Sequence, residues 1–357
     1  MNPAGGTMAI QIGFETLVED LPGPRWQALF ARLWPGYRAW FLRSGAVARP
    51  SYLESRRALR QHMPELVPTW QRLVELAGGG DVEARFLSLW CPPPYIVGCS
   101  QAVWIDPAGK EEPALLRNYD FAPALLEGSW LATRWQGQRV SAMGDSIWGA
   151  LDGQNEAGVA ASLSFGGSTV SGTGFGIPLV LRYVLEIAQS TAEAVALLQR
   201  VPVSMPYSIT VLDRRADWAT VFVGPDRPAE VTRRKAVTNF QHRIEWPEHA
   251  RATHAAERLE RLQKQVDGPG TLEDAIGALL QPPLYQSAYL RGYGTLYGVA
   301  YRPASGRMEL LWPGVRWPQT LATFAEGRRD IVYTPGAEAP PDPDEAALAQ
   351  LLTESRS

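Results

Sequence analysis

Hydrophobic positions in the first quarter of the chain recur with a helical period. After Pro24, residues Trp26, Leu29, Phe30, Leu33 and Trp34 fall at i, i+3, i+4, i+7 and i+8, on one helix face. Pro35 is expected to interrupt that helix before Tyr37, Trp40 and Phe41 resume the pattern. A further helix is predicted over residues 64–77, closed by Gly78, Gly79 and Gly80. The character changes at Cys91-Pro92-Pro93-Pro94, an extended joint, because three prolines cannot continue a helix. Short β-rich runs follow at 96–105, 114–119 and 159–165. A glycine-rich loop at 166–176 then leads into a helix over 178–189. The next helix opens at Ser190 with Glu193 three residues on, a capping box. Strand-like runs at 208–212 and 219–223 read as a hairpin, helices as 248–266 and 271–280, and a last hairpin pairs 295–301 with 307–312.

Strands and helices alternating in blocks predict an α+β protein of sheets layered with helices. Residues 1–98 read as a helical leader, 99–330 as the core, and 331–357 as a tail rich in Pro and acidic residues. There is no internal repeat.

Composition narrows the function classes. Hydrophobic residues make up 45% and charged residues 20%, and the net charge is −3 with both signs interspersed. No basic block tracks a phosphate backbone, so nucleic-acid binding is not expected. No apolar run reaches the ~18 residues of a membrane span, and the amino terminus lacks the charged start and apolar run of a secretory signal. The cytoplasm is the default address. Thirteen tryptophans lie mostly in apolar stretches and read as core before they read as a membrane or partner surface. Cys91 and Cys99 are the only cysteines, so neither a disulfide framework nor zinc-type spacing is expected, and no metal or cofactor is called for.

Cys91 reads as a small buried hydrophobe. Cys99 does not, because Gly98 precedes it in Tyr95-Ile96-Val97-Gly98-Cys99-Ser100, where backbone can take an unusual conformation. A thiol there can attack the Gly98 carbonyl. Hydrolysis of the resulting thioester would free an α-amine on Cys99, with a pKa near ~8 that suits a base for its own side chain. No histidine is needed, and His62, His242, His249 and His254 read as surface or structural. In Arg117-Asn118-Tyr119-Asp120-Phe121, Arg117 and Tyr119 share one strand face and Asp120 takes the other unless the strand bends. A bend would let Arg117 depress the thiol pKa and Asp120 hold the ammonium. Asn239, after a short strand at 236–237, is placed to donate to an oxyanion, and Arg258 and Arg261 share a helix surface. Gly172, Gly174 and Gly176 lack P-loop spacing and suggest a lid. Asp145, Asp152 and Glu156 show no metal or glycosidase spacing.

Taken in order, these motifs resemble the linear-amide branch of the amino-terminal nucleophile hydrolases. That branch includes choloylglycine hydrolase, penicillin V acylase and the acyl-coenzyme A:6-aminopenicillanate acyltransferase group, peptidase family C45. The set is Gly98-Cys99, then Arg117-Asn118-Tyr119-Asp120, then Asp152-Gly153-Gln154-Asn155-Glu156-Ala157-Gly158, then Thr238-Asn239, then Arg258-Leu259-Glu260-Arg261. The long leader is similar to the acyltransferase group.

The resemblance implies a four-layer αββα sandwich and autocatalytic cleavage between Gly98 and Cys99. It makes Cys99 the nucleophile with its α-amine as base, supported by Arg117 and Asp120, with Asn239 as oxyanion donor and Arg258 as active-site cation. Leu163-Ser164-Phe165 stands where the choloylglycine enzymes carry Leu-Asn-Phe. The second oxyanion contact is therefore left to Ser164 or to the backbone N–H of Ser100, and Tyr119 and Phe165 are further pocket candidates.

The expected reaction is hydrolysis of an N-acylated small molecule through a thioester. The alternative is acyl transfer to an amine with acyl-coenzyme A as donor, and an alternative of another class is a non-catalytic module on the same fold. The cleaved fragments are expected to stay together, and a homo-oligomer is compatible with the sequence.

Overall fold

The computed structural model describes residues 9–334. Along the chain run β1 (Ile10–Glu19) and helices α1 (Pro24–Leu42), α2 (Tyr52–His62), α3 (Val67–Leu76) and α4 (Asp81–Leu87). Strands β2 (Gly98–Trp104), β3 (Ala114–Phe121), β4 (Ser129–Thr133), β5 (Val140–Asp145), β6 (Gly149–Asn155) and β7 (Val159–Phe165) follow. After α5 (Ile177–Ile187) and α6 (Thr191–Arg200) come β8 (Tyr207–Asp213), β9 (Trp218–Gly224), β10 (Arg227–Thr232) and β11 (Ala236–Val237). Helices α7 (Pro247–Ala252), α8 (Ala255–Asp267) and α9 (Leu272–Leu279) precede β12 (Gly294–Arg302), β13 (Arg307–Trp312), β14 (Val315–Thr320) and β15 (Gly327–Tyr333).

Two sheets form. One has the order β10-β9-β8-β7-β6-β5-β4-β1-β15, the other β11-β2-β3-β12-β13-β14. β2 and β3 of the smaller sheet pack on β7 and β8 of the larger. Helices α5 and α6 cover the outer face of the larger sheet, and α8 and α9 cover that of the smaller, which gives the αββα layering. Strand alternation assigns the faces of β2 and β3. Cys99, Val103, Leu115 and Tyr119 belong to the main core between the sheets, whereas Ala102, Trp104 and Leu116 pack with Leu262, Val266 and Ile276 of α8 and α9. No helix among the described residues is long and apolar enough to cross a membrane.

Four expectations are corrected. The leader is not wholly helical, because β1 lies inside the larger sheet, parallel to β4 and antiparallel to β15. Its Phe14 is fully buried and meets Trp312 edge-on at 4.9 Å. Pro35 does not end the first helix. The proline forfeits one backbone bond, but Tyr37, Trp40 and Phe41 continue the same buried face, and α1 runs to Leu42. The stretch read as one helix over 248–266 is two, since His254 takes a left-handed backbone (φ 48°) between α7 and α8. The expected tail begins inside β15, whose Ile331 and Tyr333 are buried, and residues 335–357 lie outside the described residues. Of the capping box expected at Ser190, half forms: its side chain accepts from the Glu193 N–H, while the Glu193 carboxylate accepts the Gln189 N–H at 3.0 Å.

Candidate active site

Cys99 is the second residue of β2 and is fully buried. Its neighbour across the ladder is Tyr119, while Gly98 sits opposite Asp120 and Gln101 opposite Arg117. Because β3 stays regular here, Arg117 and Asp120 leave on opposite faces. The two charges therefore lie on opposite sides of Cys99.

On the inter-sheet side, Arg117 Nη2 donates to the Cys99 thiol at 3.1 Å. The guanidinium is held in turn by Leu163 O at 3.0 Å through Nε, by the Tyr297 hydroxyl at 3.0 Å, and by an ion pair from Nη1 to Asp152. Tyr297 and Tyr301 both donate to Asp152, at 2.6 and 2.5 Å. Arg117 also lies over the Tyr119 ring, 4.9 Å from its centroid. Burial pushes the thiol up from its ordinary value to about 11, against the pull of Arg117. In the uncut chain the sulfur is thus a protonated thiol at neutral pH.

On the helix side, Asn239 Oδ1 accepts the Cys99 backbone N–H at 3.1 Å, and Asn239 Nδ2 donates to Val97 O at 3.4 Å. The two partners fix the amide orientation, since the N–H must meet the oxygen. Arg258 Nη1 reaches Asn239 Oδ1 at 3.4 Å and Thr253 O at 3.0 Å, and Nη2 pairs with Asp120. Thr295 Oγ1 donates to the other Asp120 oxygen at 2.6 Å. The break between α7 and α8 leaves the Thr253 carbonyl free to receive Arg258. Arg117, Asp120, Asn239 and Arg258 are all buried, so each charge depends on its partner.

Five residues singled out from the sequence thus converge: Cys99, Arg117, Asp120, Asn239 and Arg258. Two roles differ from those expected. Asp120 does not reach Cys99 directly, because strand alternation turns it to α8, and the contacts that link it to Cys99 run through Arg258 and Asn239. Asn239 is spent on the Cys99 N–H and Val97 O rather than facing the Gly98 carbonyl as a free donor. The Ser164 hydroxyl gives its hydrogen to Thr238 O at 3.2 Å and accepts from Gln101 at 3.3 Å, so it is committed to a structural chain. The Ser100 side chain alternates away from Cys99, buried and without a partner. Tyr119 borders the thiol, its hydroxyl 3.2 Å from that of Tyr95. Phe165 packs against His249 and Tyr207 instead, with centroids at 5.1 and 6.1 Å.

The histidines do not form a Cys–His pair. His249 is buried between Trp246 and Phe165, and burial pushes its pKa down to about 3, which leaves it neutral. His62 stacks on Trp90, His242 lies beside Glu230, and His254 lies beside Glu257. No group of three or more His, Cys, Asp or Glu among the described residues can hold a metal ion.

Sequence reasoning missed Asp152 as the anchor of Arg117, together with Tyr293, Thr295, Tyr297 and Tyr301 of the β12 region. The signal available was Tyr297, Val299 and Tyr301, alternate residues on a buried strand, with an Asp inside an apolar run elsewhere; Thr295 falls on the other face because the register shifts between Thr295 and Tyr297.

No curated protein matches the chain. Among solved structures, it is similar to a mutant of conjugated bile acid hydrolase from Clostridium perfringens, with 12% identity and a TM-score of 0.46, covering 68% of this chain and 99% of that one. It is also similar to a Caenorhabditis elegans N-acylethanolamine-hydrolyzing acid amidase ortholog, with 16% identity and a TM-score of 0.44, covering 58% of this chain and 93% of that one. A third is penicillin V acylase from Agrobacterium tumefaciens, with 14% identity and a TM-score of 0.39, covering 65% and 86%. The family model for acyl-coenzyme A:6-aminopenicillanic acid acyl-transferase matches residues 108–317. That span begins just past β2, contains Arg117, Asp120, Asn239 and Arg258, and takes in more than half of the chain, which therefore belongs to the acyl-coenzyme A:6-aminopenicillanic acid acyl-transferase family.

Proposed function

We propose that the chain cuts itself between Gly98 and Cys99 and then works as a Cys-dependent hydrolase of linear amides in N-acylated small molecules. The observation that carries this reading is the separate support of the two Cys99 heteroatoms: Arg117 on the sulfur, Asn239 on the nitrogen. An N–H already held by a carboxamide oxygen becomes, once cut, an amine held in place beside its own thiol. Cys99 attacks the amide carbon, its amine passes the thiol proton to the leaving nitrogen, and water resolves the thioester. Residues 1–98 are then the first fragment and 99–330 the body of the second. Tyr95, Ile96 and Val97 are buried beside the thiol before the cut, which supports cleavage preceding turnover. Acyl transfer from acyl-coenzyme A to an amine is the second reading, favoured by the description of the matching family.

Intact-mass measurement and a denaturing gel of freshly purified protein are expected to give fragments 1–98 and 99–357. The fragments should co-elute under native conditions, because removing the first means pulling β1 from between β4 and β15. A panel of N-acyl amines, with and without acyl-coenzyme A and a free amine, should release amine with water alone. A chain that stays whole and inert against the panel would refute the proposal.

The two stages should also differ in pH dependence. In the uncut chain the thiol sits near 11, so the reactive thiolate grows about tenfold per pH unit well past the ordinary thiol value. Cleavage is expected to accelerate continuously from pH 7 to 10. Turnover by the cut enzyme should instead level off above about pH 8, where a terminal amine is already unprotonated. Cleavage that plateaus below pH 9 would contradict the buried, protonated thiol.

A further inference from the structure

We infer that the Tyr293 hydroxyl is the oxyanion donor of this site, first for the Gly98 carbonyl during self-cleavage and then for the substrate carbonyl; this rests on the function proposed above. Tyr293 immediately precedes β12, and its backbone N–H is tied to Ala288 O at 3.2 Å. The next residues pair across the sheet with β3, Thr295 opposite Asp120, and Asp120 in turn faces Gly98 on β2. That register brings the phenol to the scissile residue. A Cβ on Gly98 would overlap the Tyr293 hydroxyl and stand 2.8 Å from its ring carbon Cζ. Gly98 is required here because the hydroxyl occupies the place a side chain would take.

The hydroxyl is buried and makes no hydrogen bond of normal geometry, although the Arg258 guanidinium lies close enough to interact with it. Buried polar groups normally find partners, and one that does not, beside a bond to be broken, is a donor kept for a state absent from the resting chain. Ser100 Oγ and Arg258 Nε are also without partners, but Ser100 alternates away from Cys99 and Arg258 is held by Asp120 and Thr253 O; the donors that face Cys99 are spent. Asn239 Nδ2 is on Val97 O, Ser164 on Thr238 O, and Arg117 on Leu163 O, Asp152, Tyr297 and the thiol itself. Burial and the neighbouring Asp120 carboxylate raise the phenol well above its usual range, and the nearby Arg258 only tempers that rise. Tyr293 therefore keeps its proton and donates at any working pH.

The step balances without it changing protonation state. The Cys99 sulfur bonds to the Gly98 carbonyl carbon, and the carbonyl π pair moves onto oxygen, where Tyr293 O–H stabilises it. The thiol proton goes to the Cys99 nitrogen and the C–N bond breaks, leaving a thioester. Water then adds to that thioester, the C–S bond breaks, and a water proton returns to sulfur.

The test is Tyr293→Phe in the full chain, compared with wild type in a cleavage time course, by thermal denaturation, and in steady-state amide hydrolysis by the cut fraction. Loss of one oxyanion donor is expected to slow cleavage roughly 100-fold and to lower kcat by a similar factor with KM unchanged. The melting temperature should stay level, because the hydroxyl makes no hydrogen bond of normal geometry to lose. A variant that cleaves and turns over at wild-type rates overturns the inference. So does one whose slower rate comes with a lower melting temperature, or with a raised KM alone. If the wild-type chain itself stays whole, the parent reading fails first and takes this one with it.

Discussion

Replacing Cys99 by alanine is expected to leave a chain of 39.3 kDa that never separates into fragments and releases no amine from any N-acyl substrate. The substitution removes the attacking atom and little else. Arg117 loses one acceptor but keeps Asp152 and Leu163 O, and the residue 99 N–H remains on Asn239. The fold should therefore persist, with a melting temperature within a few degrees of wild type, while the loss of rate reaches roughly the millionfold scale seen when a nucleophile is deleted. Serine at the same position is a sharper probe. Its hydroxyl keeps the geometry, but it is a far weaker nucleophile than sulfur, so slow and incomplete cleavage is expected on a gel followed over days. A fragment ending at Gly98 in the alanine variant, or unchanged turnover, would show that neither step passes through this sulfur.

The chain displays part of this arrangement openly and hides the rest for identifiable reasons. β2 and β3 are legible because each pairs a short strand-like run with polar residues that have no place in a core: Gly98-Cys99 in one, Arg117 and Asp120 in the other. Strand alternation even places Arg117 and Asp120 on opposite faces. Sequence spacing could not say that Arg258 would come from α8 to meet Asp120, because that contact spans separate elements and depends on helix register. β4, β5 and β6 carry little periodic signal, since every residue in them is buried and no solvent face enforces alternation.

The motif beginning at Asp152 becomes intelligible only in three dimensions. Asp152 clamps Arg117. Gly153 leaves room for Ser141 O, from which a Cβ would stand 2.5 Å away. Asn155 accepts from Val159 N at 2.9 Å and donates to Leu185 O and Ala188 O, and Gly158 turns the chain at φ +79°. β1 escapes notice because only Phe14 and Thr16 of its ten residues are buried, a weak pattern beside the strong helical stripe that follows. The break at His254 has no glycine or proline to announce it. Thr253 bonds back to His249 O at 2.8 Å, the kind of local contact that competes with a helix.

The second large effect is expected from Asp152, which touches neither Cys99 nor a scissile bond in the structure. Three donors converge on its carboxylate, from Arg117, Tyr297 and Tyr301, in a region that excludes water. Asp152→Asn keeps the shape, removes the charge, and turns one acceptor oxygen into an amide donor facing other donors. The Arg117 cation is then buried without its counter-charge, a loss on the order of 3–5 kcal/mol. Low soluble yield, a clearly lower melting temperature and little self-cleavage are the expected results. Tyr301→Phe separates the ion pair from its hydrogen bonds, because it removes one donor and leaves charge balance intact. Its cost should be nearer ~1 kcal/mol, with cleavage close to wild type. The contrast between the two variants is the measurement that matters. If Asp152→Asn melted and cleaved like wild type, Arg117 would have to find its balance elsewhere, and the view that a buried carboxylate on β6 steadies the cation at the thiol would fail.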